Sequence, residues 1–252
     1  INTNAVILTL GCSITQQAVS YLYESGVTLI FAGNGGTPLY MANMMYRPSQ
    51  YIQEYILKWP NPEYRLRASK YIQKERLDNI IKLWPGLTHD NIMQIQSQKE
   101  RFDNANNIQE LMGIEGDIVH RFIYPSASLI CGYNWTKRKN GRDITDFMDD
   151  GNMRINRANV LMYGITASAL NILGIPPSLP VTHGMHRRGG LVYDIADAYK
   201  DAVLLPISLS SKNLPDSSDF RQEIIQGIHR KLDNEAILVH MIKFIQRIVK
   251  LS

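Results

Sequence analysis

Strand-forming segments are confined to the first 36 residues of this chain, and that distribution limits the folds open to it. Residues 5–10 and 27–32 are short runs rich in β-branched and apolar side chains, which is typical of strands. A helix is predicted between them, and from Pro38 onward the apolar residues recur at helical spacing. We therefore predict a mainly α fold with a small β-containing part at its N-terminal end.

The predicted division of the chain falls at residue 36. Two neighbouring strands are too few for an independent sheet domain, so residues 1–36 are interpreted as the C-terminal remnant of an N-terminal β-rich domain. The chain begins on Ile1 rather than on Met, which fits such a fragment. Residues 37–252 are predicted to form one α-helical domain, which is long enough for a sizeable core.

The composition excludes several classes of protein. With 44% hydrophobic residues, the chain is too apolar to be disordered. Its 27 Lys and Arg against 23 Asp and Glu give a formal net charge of +4, which permits nucleic acid as a partner without requiring it. Cys12 and Cys131 fit neither a disulfide framework nor a metal clip, so we expect a cytoplasmic protein. No apolar run approaches the ~20 residues of a membrane span.

Glu115 is placed unusually, because it lies within the apolar stripe of a predicted helix. The stripe consists of Ile108, Leu111, Met112, Ile118, Val119 and Phe122. Leaving a carboxylate buried and unpaired is costly, so Glu115 is expected either to form an ion pair with an arginine or to bind a cation. Gly113 and Gly116 flank it, which indicates that another backbone or a phosphate comes close there.

Residues 180–200 are the segment richest in polar chemistry. One stripe of its helical half carries three acids, and the preceding turn carries two histidines and two arginines. These residues are Asp194, Asp197, Asp201, His183, His186, Arg187 and Arg188. Three acids on one stripe repel one another, so the stripe is either a solvated face or half of a cation site. Imidazole with carboxylates suits Mg²⁺ or Mn²⁺, and paired arginines can hold phosphate oxygens.

Two further basic clusters are candidates for contact with a phosphate backbone. The first contains Arg65, Arg67, Lys70, Lys74 and Arg76, and the second contains Lys137, Arg138, Lys139 and Arg142 beside Trp135. Lysine and arginine beside aromatic residues can follow a nucleic acid. The same residues are common on solvated helices and loops, so each cluster alone indicates nucleic acid only weakly.

A glycine-rich loop supports a different interpretation. Gly33, Gly35 and Gly36 follow the second predicted strand, as in the opening of a dinucleotide-binding fingerprint. However, the third glycine of that fingerprint would fall on Pro38, and no β-α-β series follows. A tight connecting turn is favoured, and nucleotide binding stays open as an alternative.

Several motifs together resemble one family, the CRISPR-associated endonuclease that acts as the integrase of CRISPR adaptation. They are Ser13-Ile-Thr15, Gly26-Val27, Gly35-Gly-Thr-Pro-Leu39, Gly113-Ile-Glu-Gly116, Asn156-x-x-Asn159 leading to Tyr163-Gly164, and His183-Gly followed by Arg187-Arg-Gly-Gly-Leu-Val-Tyr-Asp-Ile-Ala-Asp197. The last block is the most specific. Its Arg-Arg-Gly-Gly form is most similar to the subtype whose partner subunit is fused to a helicase-nuclease.

The resemblance implies roles for individual residues. By motif, Glu115, His183 and Asp197 would bind the catalytic divalent metal, Mg²⁺ or Mn²⁺, in a helical catalytic domain. Asp194 matches a further acid that supports the site. The cleft would be lined by Asn159 and Tyr163. The basic side chains expected to contact DNA are Arg187 and Arg188 near the site, and Arg65, Arg67, Lys137 and Arg138 further out.

The leading hypothesis for function is metal-dependent phosphoryl transfer on DNA. The 3′-hydroxyl of a protospacer would attack a phosphodiester of the CRISPR repeat, and water in its place would make the site an endonuclease. Implied partners are double-stranded DNA, a second copy of this chain in a homodimer, and the small ferredoxin-like adaptation subunit, which one subtype fuses to a helicase-nuclease. No membrane partner is expected. Two alternatives from other classes are a non-catalytic DNA-binding scaffold, and a nucleotide-binding enzyme built on the loop of Gly33 and Gly36.

Overall fold

A computed structural model of the chain describes residues 3–33, 39–41, 49–134, 137–138, 150–184, 186–214, 217–231 and 236–252. Helices predominate in these ranges, which confirms the predicted mainly α fold class. No helix within them combines the length and apolar character that crossing a bilayer demands.

The strands of the described part lie near the N-terminus and form one small sheet. Strand β1 (Ala5–Leu8) pairs in parallel with β2 (Thr28–Ala32), and helix α1 (Gln16–Glu24) connects them. The strand–helix–strand order matches the sequence prediction. A third strand, β3 (Leu39–Met41), pairs antiparallel with β2 and was not predicted. The division of the chain at residue 36 stays a prediction.

The remaining helices follow in chain order. They are α2 (Gln50–Lys58), α3 (Pro62–Leu83), α4 (His89–Asp103), α5 (Ile108–Ile118), α6 (Tyr124–Cys131), α7 (Asp150–Ile172), α8 (Gly190–Ser210), α9 (Ser218–Lys231) and α10 (Ile237–Lys250). Side-chain caps fix where several of them begin. Asn61 Oδ1 accepts the N–H of Glu63 at the start of α3, and Asn107 Oδ1 accepts that of Glu110 at the start of α5, both at 2.9 Å.

Helices α7 and α8 form the centre of the molecule, and most residues of both are buried. Helix α3 packs along α8, while α10, β1 and β2 pack against α7. Gly164 on α7 faces β1 closely, because a Cβ there would lie 2.4 Å from Ile7 Cδ1 and would require the Ile7 side chain to shift. Helix α8 contributes Val203 to one apolar cluster and Leu205 to a second, so it joins the two halves of the core.

A π-helical turn, Val119–Ile123, separates α5 from α6. Pro125 follows this turn and has no N–H to donate to the carbonyl of Arg121, so the α-helical ladder cannot run straight through. The N–H of Tyr124 donates to the carbonyl of Val119, five residues earlier, as in a π-helix. The single helix suggested by the apolar stripe from Ile108 to Phe122 is therefore interrupted just after Glu115.

Candidate active site

A pocket of about 270 Å³ opens where α3, α5, α7, α8 and the turn before α8 meet. Its lining includes all three residues expected to bind metal, Glu115, His183 and Asp197. Four cationic side chains also line it, namely Arg76, Arg138, Arg187 and Lys200. The folded chain thus brings together acids, an imidazole and basic groups that lie far apart in sequence.

The position of His183 depends on Asp194, which is 1% exposed. One carboxylate oxygen of Asp194 accepts the backbone N–H groups of Val181 at 2.7 Å and Thr182 at 3.0 Å. The other oxygen contacts the N–H of His183 at 3.1 Å and its Nδ1 at 2.5 Å. With Nδ1 held by a carboxylate, Nε2 is the ring nitrogen left for a ligand, an arrangement common around metal-binding histidines. Asp194 therefore supports His183 from behind.

The turn that carries His183 is fixed by close packing at the start of α8. A Cβ on Gly190 would lie 2.8 Å from Cβ of Pro180, so only glycine lets the helix begin this close to the turn. The N–H of Leu191 donates to the carbonyl of Pro177 at 3.1 Å, and Thr182 Oγ1 donates to Ser69 Oγ of α3 at 2.9 Å. These contacts seat the turn against both α8 and α3.

Asp197 lies one turn further along α8 and is 6% exposed. It forms an ion pair with Lys200, three residues later on the same helix. Burial alone would raise the pKa of Asp197, but the positive charges of Lys200 and Arg76 outweigh that effect and hold the pKa below its ordinary value. Asp197 is therefore an ionised carboxylate at neutral pH, as a cation ligand has to be.

Glu115 forms an ion pair with the buried Arg76. Arg76 Nη1 lies 2.7 Å from Glu115 Oε1, and Arg76 also contacts the carboxylate of Asp201 through Nε at 2.7 Å and through Nη2. The Glu115 side chain is 27% exposed, so it lies at the edge of its apolar stripe and faces the pocket. Burial would lower the pKa of Arg76, but the carboxylates of Asp201 and Glu115 raise it further, so Arg76 stays charged.

The three acids of the α8 stripe are all buried, so the interpretation of this stripe as a solvated face is wrong. Mutual repulsion is relieved because each acid has its own partner. Asp194 holds His183, Asp197 pairs with Lys200, and Asp201 pairs with Arg76. Only Asp197 among them lines the pocket.

The donor set of the pocket suits Mg²⁺ or Mn²⁺, because two carboxylates and one imidazole are ligands that these ions accept. Across the described residues, no three His, Cys, Asp or Glu side chains converge into a ready-made ion site. Each carboxylate is instead held by a cationic side chain, Glu115 by Arg76 and Asp197 by Lys200. The chemistry of the donors fits a divalent cation.

Aromatic and basic residues form the wall of the pocket beside His183. The Arg187 guanidinium lies 4.0 Å from the ring centroid of Tyr193, and Tyr163 meets the Tyr193 ring edge-on at 4.9 Å. Asn159 and Tyr163 line the pocket from α7, as the resemblance implied.

Arg138 lines the pocket, whereas the sequence suggested a position further from the site. Its guanidinium donates to Asn152 Oδ1 at 2.9 Å and to Asn156 Oδ1 at 2.5 Å, and it lines the pocket. The carbonyl of Lys137 accepts from Asn152 Nδ2 at 2.9 Å. These bonds hold the short 137–138 segment on α7. We expected Arg138 to contact DNA further out, and the structure places it in the lining of the pocket that also contains Glu115 and Asp197.

The other basic residues expected to contact DNA do not line the pocket. Arg65 stacks over Trp59, with 5.6 Å between the guanidinium and the ring centroid. Arg67, Lys137 and Arg188 are exposed at the surface. Their assignment to DNA stays a prediction.

Several expectations rest on residues outside the described ranges. Trp135, Lys139 and Arg142 of the second basic cluster lie there. So do Gly35 and Gly36, on which the nucleotide-binding alternative depends. His186 is described and exposed, and it does not line the pocket.

Two cationic residues of the pocket, Arg76 and Lys200, were not among the residues predicted for it. We counted Arg76 with the outer basic cluster, whereas it is 2% exposed and faces carboxylates. A signal was available, because Arg76 lies on the apolar stripe of α3 between the buried Ile72 and Ile80, just as Glu115 lies on that of α5.

The fold and the pocket together define a mainly α-helical protein with a carboxylate and imidazole site flanked by arginines. The chain belongs to the CRISPR associated protein Cas1 family, whose model matches residues 1–240. It is 32% identical to the CRISPR-associated endonuclease Cas1 of Pseudomonas aeruginosa (strain UCBPP-PA14), over 91% of this chain and 77% of that protein. It is 30% identical to the protein of the same name from Pectobacterium atrosepticum (strain SCRI 1043), over 91% and 76%. The family suggested by the motifs is thereby confirmed.

Solved structures share the fold at low sequence identity. TtCas1 in a DNA complex has a TM-score of 0.70 at 22% identity and covers 100% of this chain and 81% of its own. A casposase bound to integration product has a TM-score of 0.71 at 16% identity, over 99% of this chain and 79% of its own. A Cas6-RT-Cas1–Cas2 complex has a TM-score of 0.73 at 14% identity, over 98% of this chain and 30% of the matched one.

Proposed function

We propose that this chain is a divalent-metal-dependent DNA integrase and endonuclease of CRISPR adaptation. Its reaction would join the 3′-hydroxyl of a protospacer to the CRISPR repeat by phosphoryl transfer. One observation carries the proposal: Glu115, His183 and Asp197 line a single pocket together with Arg138 and Arg187. Membership of the Cas1 family supports it, as does the shared fold with a casposase bound to integration product.

A Mg²⁺ or Mn²⁺ ion held by Glu115, His183 and Asp197 would supply a Lewis acid that polarises a phosphoryl oxygen. His183 is suited to this role because Asp194 fixes its ring through Nδ1. Its Nε2 would then be a ligand, so His183 would not serve as the general base. The low pKa of Asp197 keeps the second carboxylate ionised for the same task.

The basic side chains of the pocket would bind and orient the DNA. In phosphoryl transfer the protein usually forms no covalent bond to the substrate. Positioning and charge neutralisation therefore supply most of the rate enhancement. Arg138 and Arg187 can each grip phosphate oxygens with a planar guanidinium. Asn159 and Tyr163 would shape the wall against which the scissile strand lies. With water as the nucleophile in place of a 3′-hydroxyl, the same groups would cut DNA.

The proposed partners follow from the family and from its structural relatives. They are double-stranded DNA, a second copy of this chain, and the small ferredoxin-like adaptation subunit, fused to a helicase-nuclease in the subtype that the Arg187-Arg-Gly-Gly motif resembles. The TtCas1–DNA complex and the Cas6-RT-Cas1–Cas2 complex support the first and third of these. We expect the reaction to take place in the cytoplasm, and the free thiols of Cys12 and Cys131 fit that compartment.

A second candidate is a non-catalytic DNA-binding scaffold. It is favoured by the ion pairs of Glu115 with Arg76 and of Asp197 with Lys200, because acids already neutralised by the protein need no metal. Such a protein would bind DNA through the same arginines and would join no strands.

The test is strand transfer of a 3′-hydroxyl oligonucleotide into repeat DNA with Mg²⁺ or Mn²⁺. We expect Glu115→Gln and His183→Asn to abolish joining while DNA affinity is retained. Glu110→Gln is the matched control, because Glu110 is on the same helix but accepts hydrogen bonds from the chain before it, away from the pocket. Undiminished joining by both variants would refute the site. DNA binding without joining by the wild type, tested with its partner subunit, would favour the scaffold.

A further inference from the structure

The buried guanidinium of Arg76 contacts a second carboxylate, although one carboxylate already balances its charge. The guanidinium lies in the interior between α3, α5 and α8, and its charge is matched by Asp201, which is also buried. Nη1 nevertheless donates to Glu115 Oε1 at 2.7 Å and to Gln73 Oε1 at 3.2 Å. Glu115 faces the pocket and could be solvated there, so burial alone does not explain why it is paired.

A buried ion pair often contributes little to the net stability of a protein. Two charges lose their hydration in the interior, and apolar residues of similar size often serve the fold as well or better. What an apolar pair in place of Arg76 and Asp201 could not supply is a contact with a further carboxylate. The only pocket-lining carboxylate that the described contacts of Arg76 reach is that of Glu115.

The contact fixes one oxygen of Glu115 and leaves the other for a ligand. A glutamate on an exposed helix face has three rotatable bonds and would have to be ordered when a ligand binds. Arg76 is itself anchored through Nε and Nη2 by Asp201 on α8, the helix that also carries Asp197. The chain Asp201–Arg76–Glu115 thus ties the position of Glu115 on α5 to the helix that bears the second carboxylate.

We propose that Arg76 is a positioning residue for Glu115, and that Asp201 holds Arg76 in place for that purpose. The inference rests on the proposed function, because it takes Glu115 as a metal ligand. It also gives a role to Asp201, the third acid of the α8 stripe. Asp201 anchors the guanidinium of Arg76 and binds no cation itself. Hydrogen-bonded partners of this kind typically change metal affinity by about 10- to 100-fold when removed.

A purely electrostatic role for Arg76 predicts the opposite result. A positive charge near a bound cation repels it, so its removal would tighten metal binding. If Arg76 instead orients Glu115, its removal weakens binding despite the more favourable charge. In variants that keep the net charge of this region, a purely electrostatic role therefore predicts unchanged or slightly tighter binding, and an orienting role predicts weaker binding.

The experiment measures Mn²⁺ affinity without DNA, from the loss of the electron paramagnetic resonance signal of free Mn²⁺. The variant is the double substitution Arg76→Gln with Asp201→Asn, which removes both buried charges and leaves no unpaired charge in the interior. We expect its dissociation constant for Mn²⁺ to rise by about 10- to 100-fold. Arg76→Lys gives a second test, because a lysine keeps the charge but has no fork to reach both acids, and we expect a similar loss.

The matched control is Arg101→Gln with Asp117→Asn. This pair also joins an arginine to α5, with Arg101 Nη2 2.8 Å from Asp117 Oδ2, but neither residue lines the pocket. Its Mn²⁺ affinity should equal that of the wild type. Unchanged or tighter binding by both Arg76 variants would overturn the inference. If Glu115→Gln binds Mn²⁺ as well as the wild type does, the proposed metal site itself fails, which is a separate outcome.

Discussion

Asp194 contacts His183 twice, at the backbone N–H with 3.1 Å and at Nδ1 with 2.5 Å, and so fixes both the turn and the ring. The same carboxylate accepts two more backbone N–H groups, from Val181 and Thr182. One buried acid thus organises the segment that carries the imidazole of the pocket. Its loss should affect both folding and metal binding.

Asp194→Asn is expected to lower the free energy of unfolding by about 1–3 kcal/mol, because an amide nitrogen cannot accept the hydrogen bonds that one carboxylate oxygen takes. Mn²⁺ affinity should fall by about 10- to 100-fold, since the His183 ring loses its orienting partner. Urea denaturation and Mn²⁺ titration measure the two effects. Asp219→Asn, at an exposed acid in the first turn of α9, should leave Mn²⁺ affinity unchanged and lower the free energy of unfolding by less than about 1 kcal/mol. Wild-type Mn²⁺ affinity in Asp194→Asn would mean that His183 needs no such support.

Gly113 and Gly116 offer a matched pair on α5. A Cβ at either position would meet no neighbouring heavy atom within 4 Å, and neither backbone is left-handed, so the protein itself requires neither glycine. Alanine at either site should raise the free energy of unfolding by about 1 kcal/mol. Only Gly116 lines the pocket, so only Gly116→Ala should slow strand joining, by about tenfold or more.

Thermal unfolding together with a joining assay checks this pair. A stabilised Gly116→Ala variant with full joining activity would show that the DNA does not approach the helix there. Equal loss of joining in Gly113→Ala would point instead to the flexibility of α5 as the cause.

Arg76→Gln alone should destabilise the protein by about 3–5 kcal/mol, because it leaves Asp201 buried without a partner. Adding Asp201→Asn should recover most of that loss, since no unpaired charge then remains. A double-mutant cycle measured by urea denaturation gives the coupling between the two residues. Additive effects of the two substitutions would show that Arg76 and Asp201 do not stabilise each other.

Arg138→Gln and Arg187→Gln should each weaken DNA binding uniformly across sequences. Each loss of a phosphate contact should also reduce the slope of log affinity against log salt by about 1. Arg247→Gln is the control, because Arg247 pairs with Glu75 away from the pocket. Fluorescence anisotropy over a range of salt concentrations measures the slopes, and a slope equal to that of the wild type would exclude a phosphate contact by that arginine.

Local patterns in the sequence predicted much of this structure. The strand–helix–strand order at the N-terminus and the helical remainder follow from periodicity and propensity. Glu115 was singled out because a charge within an apolar stripe is visible in the sequence. The burial of Asp194, Asp197 and Asp201 was not predictable in the same way, because α8 is enclosed by helices on several sides and helical spacing alone cannot reveal the second covered face.

Contacts between segments that are distant in sequence could not be predicted from local sequence patterns. Arg76 is separated from Asp201 by 125 positions, and only the packing of α3 along α8 brings them together. Arg138 reaches the pocket because Asn152 and Asn156 hold it on α7. The π-helical turn after Glu115 could have been suspected from Pro125, which interrupts the helix four residues after Arg121.

The central claim is that Glu115, His183 and Asp197 hold one divalent cation. The most direct measurement is anomalous X-ray scattering from crystals of the wild-type protein grown with Mn²⁺. We expect one Mn²⁺ peak in the pocket, in contact with the carboxylates of Glu115 and Asp197 and with His183 Nε2. A fully occupied Mn²⁺ elsewhere, or a pocket without an Mn²⁺ peak at saturating Mn²⁺, would contradict it.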